Sequence, residues 1–410
     1  MPAKWDFIVI GGGASGMAAA IASAKLGDRV LLLEKSSALG RKIAASGNGR
    51  CNLMNTGDPV YYGDAGFAAD VFMCYPKENL IGFWKDAGLF LTEEEAGRVY
   101  PRTFHSSSVL EALKAMLRMY HVEIMLQTAV TGIRKDCGLF VISSGAGSFS
   151  AGRILIAAGG SAYPRLGGSD DGYAFLHSFG HRIIDPFPAL CPLCTDAKSI
   201  SGLSGIRIRC RICLTAGNNR ELFSTRGEVL FTDYGISGIC AMQCARFYEE
   251  GCIIRLNLVD GLFDRQDKLI QALHTRRKQF SGFPPEYILN GILVPKLSFA
   301  VMKQAGINLR DRNAGSLSDE EIKQTAHVLT GYTLYVTGTR GFAEAQVTAG
   351  GADCTQFDPN TLESRIVKGL HASGEVLNVD GDCGGYNLMF AAATGLLAGS
   401  NGRTGKETGK

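Results

Sequence analysis

No stretch of five like charges occurs in the 410 residues, and 42 Lys and Arg against 39 Asp and Glu leave a net charge of only +3. A basic arm or an acidic tail is thereby excluded, and so even a balance predicts a small-molecule partner rather than nucleic acid or a membrane surface. Long apolar runs are missing too. The longest weakly polar stretch, Leu388 to Gly399, falls well short of the roughly 18 apolar residues needed to cross a bilayer, so no membrane span is predicted. The opening MPAKWDFIVIGGG lacks the basic, apolar and cleavable segments of a secretory signal. The twelve cysteines are therefore expected as reduced thiols in the cytoplasm, not as a disulfide framework. Glycine is what the chain has in excess: 52 residues, near twice the usual roughly 7%, with no collagen-like period. Clustered between apolar runs, these glycines predict loops where a ligand approaches backbone. At roughly 100–200 residues per domain, the length predicts two or three domains.

The chain opens as strand, turn, helix, strand: Phe7 to Ile10, a glycine turn, an alanine-rich helix to about Leu26, then Val30 to Glu34. A second buried-strand run, Arg153 to Ala158, ends in Gly159-Gly160 and leads to a helix over Gly172 to Phe179. Both belong to an α/β fold with a Rossmann-like, glutathione-reductase-like domain, expected over residues 1–189 and 347–410. Short alternating runs such as Ile206-Arg207-Ile208-Arg209-Cys210 predict an inserted β domain over 190–262 and 328–346. Tyr332 to Thr337 and Phe342 to Thr348 alternate likewise and are expected to lead back to the sheet. Helical spacing, with Leu269, Ile270 and Leu273 on one face and a capping box at Ser318-x-x-Glu321, predicts a helical subdomain over 263–327. The polar tail Asn401 to Lys410 is expected to fray.

Gly11-x-Gly13-Ala14-Ser15-Gly16 follows a strand and opens a helix, and Glu34 ends the next strand eighteen residues after Gly16. That context predicts dinucleotide binding: Gly11 for the tight turn, Gly13 for backbone approach to a pyrophosphate, Gly16 for close helix packing, Glu34 for ribose hydroxyls. Directly beyond lies a long polar loop, Gly40-Arg41-Lys42-Ile43-Ala44-Ala45-Ser46-Gly47-Asn48-Gly49-Arg50-Cys51-Asn52, which suits a longer cofactor than a nicotinamide.

Four blocks carry a family resemblance: IGGGASGMAAA, GRKIAASGNGRCN, AAGGSAYP with SDDGY beyond it, and the C-terminal segment from TAGGADC to GDCGGYNLMFAAATG. Over nearly the whole chain it resembles the flavoproteins grouped with aminoacetone oxidase and the bile-acid-inducible enone reductase BaiN, distant relatives of fumarate reductase. The resemblance implies one FAD and a two-part FAD domain interrupted by the β insert. It implies Glu34, with Lys35 beside it, at the adenosine ribose, and Arg41 and Lys42 along the adenine and pyrophosphate side. Ser46, Gly47, Asn48 and Asn52 then approach the flavin, Val130 holds adenine by its backbone, and Ala158, Gly159 and Gly160 close the strand end. In the C-terminal block, Gly374-Glu375 and Asp380 set carboxylates where ribityl hydroxyls need acceptors. Gly385-Tyr386-Asn387 opens a helix whose amides suit the flavin N1 and C2 carbonyl.

The chemistry implied is that of a FAD-dependent oxidoreductase, its flavin lying between the FAD domain and the inserted domains. The leading reaction is reduction of an activated C=C bond, such as an enone of a 3-dehydro-bile acid or another steroid-like substrate. With only one glycine fingerprint in the chain, NADH or NADPH is expected as a transient electron donor. Flavin amine oxidation with dioxygen is the alternative, and a non-enzymatic FAD-binding or nucleic-acid-associated protein is the rival outside enzymes. Tyr163 and Tyr234 are the candidate catalytic residues, with Asp233 adjoining the latter, and the general acid stays open among them, as does the oligomeric state.

Cys191-x-x-Cys194 and Cys210-x-x-Cys213, with fifteen residues between the pairs, have a zinc-ribbon spacing. Yet Cys210 shares a strand face with Ile206, Ile208 and Ile212 while Cys213 points away, so buried thiols and no metal are expected. Cys51 adjoins no second cysteine and is read as packing, and His105, His177 and His181 as structural or solvent-facing.

Overall fold

The computed structural model describes residues 5–400. The expectation for Asn401 to Lys410 lies outside the described residues. β1 (Trp5–Ile10) and β2 (Val30–Leu33) are near-continuous apolar runs, buried along almost their whole length, as parallel strands covered by helices must be. The helix α1 (Ala14–Lys25) connects them. β1 is central: Ile10 pairs with Leu33 of β2 on one side and with Ile156 of the strand Gly147–Ile156 on the other, both in parallel. The strand Glu123–Met125 extends the sheet beyond β2.

Gly147–Ile156 serves two further neighbours along its other edge because it is ten residues long. Its first half runs antiparallel to Leu139–Ser144, which in turn pairs with Val130–Asp136, while Ile154 to Ile156 pair in parallel with Leu370–Ala372. Residues near the two ends of the chain are thus joined in one seven-stranded sheet. The last helix, Tyr386–Ser400, packs backbone to backbone on α1. A Cβ at Gly395 would lie 2.2 Å from the Ser15 carbonyl oxygen, and one at Gly399 would lie 2.2 Å from that of Ala19.

Two compact units divide the chain: Met1–Pro188 with Ala345–Lys410, and Ala189–Glu344. The strands Ile183–Ala189 and Val347–Ala352, where the chain leaves and re-enters the first unit, pair with each other. In the second unit six strands close into a barrel, in the order Leu193–Thr195, Gly235–Ser237, Glu221–Phe231, Arg207–Thr215, Ile253–Asn257 and Tyr332–Thr339. The helices Gln266–Gln279, Pro295–Gln304 and Asp319–Thr330 belong to the same unit. Leu269 and Leu273 are buried, and both halves of the Ser318–Glu321 capping box form.

Tyr332–Thr339 closes the barrel. One expectation needs correcting. Phe342 to Gln346 form no strand: Gly341, at φ 66°, starts a turn closed by the Glu344 amide on the Gly341 carbonyl (3.2 Å), and pairing resumes only at Val347. Among the described residues no helix is long and apolar enough to cross a membrane.

Candidate functional site

At the end of β1, Gly11 has φ 110° and donates its amide to the Leu33 carbonyl (2.8 Å), and a Cβ there would lie 2.3 Å from the Ala157 oxygen. A Cβ on Gly16 would lie 1.9 Å from the Gly11 oxygen, so both positions exclude side chains by contact. Gly13 differs. Its φ of −81° and ψ of −167° are open to any residue, and no atom lies within 4 Å of where its Cβ would be. Packing does not require this glycine, and its bareness keeps a space free at the amino end of α1. That helix has no acidic residue in its first turn and no side-chain cap, so its amides and dipole face the space and fit an anion such as a pyrophosphate.

The half-buried Glu34 carboxylate is fixed by backbone: the Gly12 amide donates to Oε2 and the Ser36 amide to Oε1, each at 2.7 Å. Each oxygen keeps a lone pair for a ribose hydroxyl. The cations nearby are committed to protein. Lys35 bonds the Ser169 hydroxyl (2.5 Å) and Asp171 (2.9 Å), and Arg41 donates to the Arg165 carbonyl (2.8 Å). Val130 begins the outer antiparallel strand, opposite Ser144.

Lys42 and Glu375, 333 residues apart, form an ion pair of 2.7 Å with side chains 30% and 21% exposed. Gly159 opens onto it, since a Cβ there would lie 3.9 Å from both charged atoms. The other Glu375 oxygen accepts from the Thr348 amide (2.8 Å), and the Thr348 hydroxyl accepts from the Ala162 amide (2.9 Å). A Cβ on Gly160 would meet that hydroxyl at 2.5 Å. Thr348 is a residue that sequence reasoning missed. It fixes two candidate segments, and a lone threonine in an apolar strand carries no signal of that.

The segment Gly40 to Asn52 is not a plain loop as expected. Gly40 (φ 67°) leads into a helical turn, Arg41–Ala45, and Ser46–Gly49 make a second, with Gly47 and Asn48 both left-handed. The Ser46 hydroxyl caps the Ile43 carbonyl (2.8 Å). Cys51 is fully buried, and burial pushes its thiol up to about 11, only partly offset by a hydrogen bond from Ser46. Asn52 Oδ1 is buried and has no hydrogen-bond partner, and it faces Gly385, whose Cβ would lie 2.8 Å away. An orphaned buried acceptor calls for a donor, which the N–H edge of a flavin ring supplies.

Around that point the C-terminal block is tightly held. Asn55, another missed residue, donates to the Gly384 carbonyl (2.8 Å). Asn387 is spent on backbone: its Oδ1 accepts from the Gly381 amide and its Nδ2 donates to the Gly381 carbonyl, each at 2.8 Å. Asn387 therefore clamps the turn that opens the last helix. The Tyr386 hydroxyl donates to the Asp58 carbonyl (3.1 Å). Asp380 is buried in Val379–Gly381, paired with Tyr61–Gly63, and the Gly374 amide donates to the Thr394 hydroxyl (3.0 Å). The glycine turn, the Lys42–Glu375 pair and this block all belong to the unit built from both chain ends.

The two tyrosines lie on different units. Tyr163, half-buried with φ 53° and ψ 65°, is in a left-handed conformation rare outside glycine. Tyr234, in the barrel unit, has the Arg340 guanidinium 4.6 Å over its ring, and burial raises its phenol pKa. Asp233 beside it is exposed. Cys191 donates to the Gly341 carbonyl and Cys213 to Glu221, each at 3.4 Å, while Cys210 packs inside the barrel. Among the described residues no three His, Cys, Asp or Glu side chains gather as a metal site. His105 and His177 are exposed. His181 is buried, stacked on Phe357, with Nδ1 donating to the Leu176 carbonyl and Nε2 accepting from Ser364.

Similarity to known proteins extends over almost the full chain. The HI0933-like protein Rossmann domain matches residues 5–401. A 3-dehydro-bile acid delta(4,6)-reductase of Clostridium scindens is 35% identical over 400 residues, covering 95% of this chain and 97% of that one. A ribosomal RNA dihydrouridine synthase of Haemophilus influenzae is 29% identical, covering 94% of this chain and 95% of its own. One of Escherichia coli is 27% identical, covering 95% of each.

Proposed function

The chain belongs to the HI0933-like family of FAD-dependent oxidoreductases, and from that premise we propose that it adds two hydrogens across a C=C bond conjugated to a carbonyl. The two activities named for its relatives are one chemistry in this respect. A delta(4,6)-reductase acting on a 3-oxo steroid and a synthase making dihydrouridine from uridine both saturate an alkene conjugated to a carbonyl. The observation that carries the reading is that these relatives, with different substrates, each align with at least 94% of this chain.

In this reading the unit built from both chain ends is the FAD domain. Gly11 to Gly16 and Glu34 hold the adenosine and pyrophosphate half, with Val130 at adenine. Lys42, Ser46 to Asn52, Ala158 to Gly160, Gly374-Glu375, Asp380 and Gly385 to Asn387 hold the ribityl chain and ring. FAD, when bound, supplies the hydride. The protein's part is to exclude water, orient the alkene and protonate the carbon next to the one that takes the hydride. Tyr163 and Tyr234 are the donors we assign, since a tyrosine phenol is protonated at neutral pH. A nicotinamide, NADH or NADPH, docks transiently and leaves before the alkene enters, giving ping-pong kinetics. The cytoplasm, where twelve free thiols stay reduced, is the compartment that suits this reading.

Two substrates fit the same chemistry. A steroid-like enone is favoured by the 35% relative, and the uracil ring of an RNA by the two at 29% and 27%. Anaerobic mixing decides. NADH or NADPH should bleach the yellow protein, and either a 3-oxo-4-ene steroid or a uridine-containing RNA should restore the colour. Bleaching by a small amine, with peroxide on aeration, would establish an amine oxidase instead. If either tyrosine is the proton donor, its replacement by Phe should slow reoxidation by alkene roughly 10²–10⁴-fold and leave reduction by nicotinamide unchanged.

A further inference from the structure

Arg207, Arg209 and Arg211 alternate along Arg207–Thr215 and are exposed on the outside of the barrel, while Cys210, Ile212 and Leu214 are buried. On the strand Glu221–Phe231, Arg226 pairs directly opposite Arg211, and Glu228 opposite Arg209. On the other flank Ile253–Asn257 sets Arg255 opposite Cys213. Five guanidinium groups therefore share the outer face of three hydrogen-bonded strands.

The acids that face them do not balance them. Glu228 pairs with Arg207, Asp260 pairs with Arg226 at 2.8 Å, and Glu221 accepts from the Cys213 thiol at the far end. Arg211 donates to the Ser224 hydroxyl (3.2 Å) and lies near enough to Glu221 to help hold that carboxyl below its usual range, and Arg255 donates to the Thr215 hydroxyl (3.1 Å) and the Asn219 amide oxygen (2.7 Å). Arg226, directly across from Arg211, is held by Asp260, so the cations of this face that no carboxylate among the described residues bonds are Arg209, Arg211 and Arg255. The net charge hides this face. The unit Ala189–Glu344 holds 19 Lys and Arg against 15 Asp and Glu, more than the whole chain's excess, because in the remainder acids outnumber bases by one.

We infer that this barrel face docks the phosphodiester backbone of an RNA, a partner that rests on the uracil-ring reading above. Alternate residues of a strand recur every ~6.8 Å, so Arg207, Arg209 and Arg211 present cations at a stride that follows successive phosphates. A lipid surface is the poorer match, since membrane-binding faces combine cations with apolar anchors. None of the exposed large hydrophobic residues described lies on these three strands.

The test uses the holoprotein and a fluorescent RNA hairpin with unpaired uridines, titrated by anisotropy at about 50 and 200 mM salt. Wild type should bind with a steep salt dependence. Arg209→Gln with Arg211→Gln should bind at least about tenfold more weakly, with the slope of log K against log salt shallower by about 1.4, from about 0.7 per phosphate contact. Arg209→Lys with Arg211→Lys should keep most of the affinity, which a merely structural role would not predict. Equal affinity and slope in the glutamine variant and wild type would overturn the inference, as would wild type that ignores RNA and binds vesicles of anionic lipid. RNA held through this face that fails to reoxidise bleached flavin would leave the docking intact and defeat the uracil reading. RNA that reoxidises wild type and the glutamine variant alike, with equal affinity, would do the reverse.

Discussion

Two glycines of one motif should respond oppositely to the same added methyl group. In Gly16→Ala the new Cβ would lie 1.9 Å from the Gly11 oxygen and 3.2 Å from Val9 Cγ1, so helix and turn must separate by more than an ångström. Overpacking of this kind costs about 1–3 kcal/mol or more, offset in part by the ~1 kcal/mol that alanine gains over glycine inside a helix. Against a total stability of about 5–15 kcal/mol, the apoprotein should unfold at visibly lower urea. In Gly13→Ala the methyl meets no atom within 4 Å and the backbone is already in an ordinary conformation, so apoprotein stability should stay within about 0.5 kcal/mol of wild type. FAD should nevertheless be lost. In the proposed site the methyl stands where backbone would approach the pyrophosphate, and forfeiting one charge-assisted hydrogen bond of ~1.5–3 kcal/mol weakens binding about 10- to 100-fold. Circular dichroism in urea gives the first quantity and quenching of flavin fluorescence the second. A Gly13→Ala protein that binds FAD as tightly as wild type would refute the assignment of that open space.

The Lys42–Glu375 pair, at 2.7 Å and part-buried, should show a coupling of about 1 kcal/mol in a double-mutant cycle of Lys42→Met and Glu375→Gln read by urea unfolding; additive effects would dissolve it. In the helical part of the barrel unit, Arg312 holds the Glu321 carboxyl down to about 2 from its ordinary 4.5. A depressed carboxyl stabilises above its unfolded pKa, so this contribution is complete above about pH 4.5 and is lost as pH falls through about 2. With both side chains a quarter exposed, it is worth about 1–2 kcal/mol rather than the full linkage value, and Arg312→Met should flatten the stability profile in that window. Iodoacetamide on the native protein should label the exposed Cys137 and spare Cys51, whose thiol is buried and pushed up to about 11; labelling of Cys51 before unfolding would contradict its place in the core.

The parts legible in the sequence are those whose signal is local. Apolar runs at β1 and β2, the glycines between them and Glu34 at the next strand end are a few residues apart, and fold class follows from them. The joining of Leu370–Ala372 to Gly147–Ile156 spans over 200 residues and has no periodic trace, so only the resemblance of separate blocks pointed to it. Lys42 and Glu375 each stand in a candidate segment, but nothing in either segment marks them as partners, and Thr348 and Asn55 are ordinary polar residues that matter through where the fold delivers them. Phe342 to Gln346 misled because alternation over five residues also fits a turn entered by glycine.

The arginine face shows a different failure, one of averaging. The alternation Ile206-Arg207-Ile208-Arg209-Cys210 marks the buried side of a strand. A strand of period two has an outward side of equal information, and here that side carries an arginine at every position from Arg207 to Arg211. A sum over the whole chain cancels it against acids of the other unit and of the helices. Charge must therefore be counted per face, after the register is known, before nucleic acid is set aside as a partner.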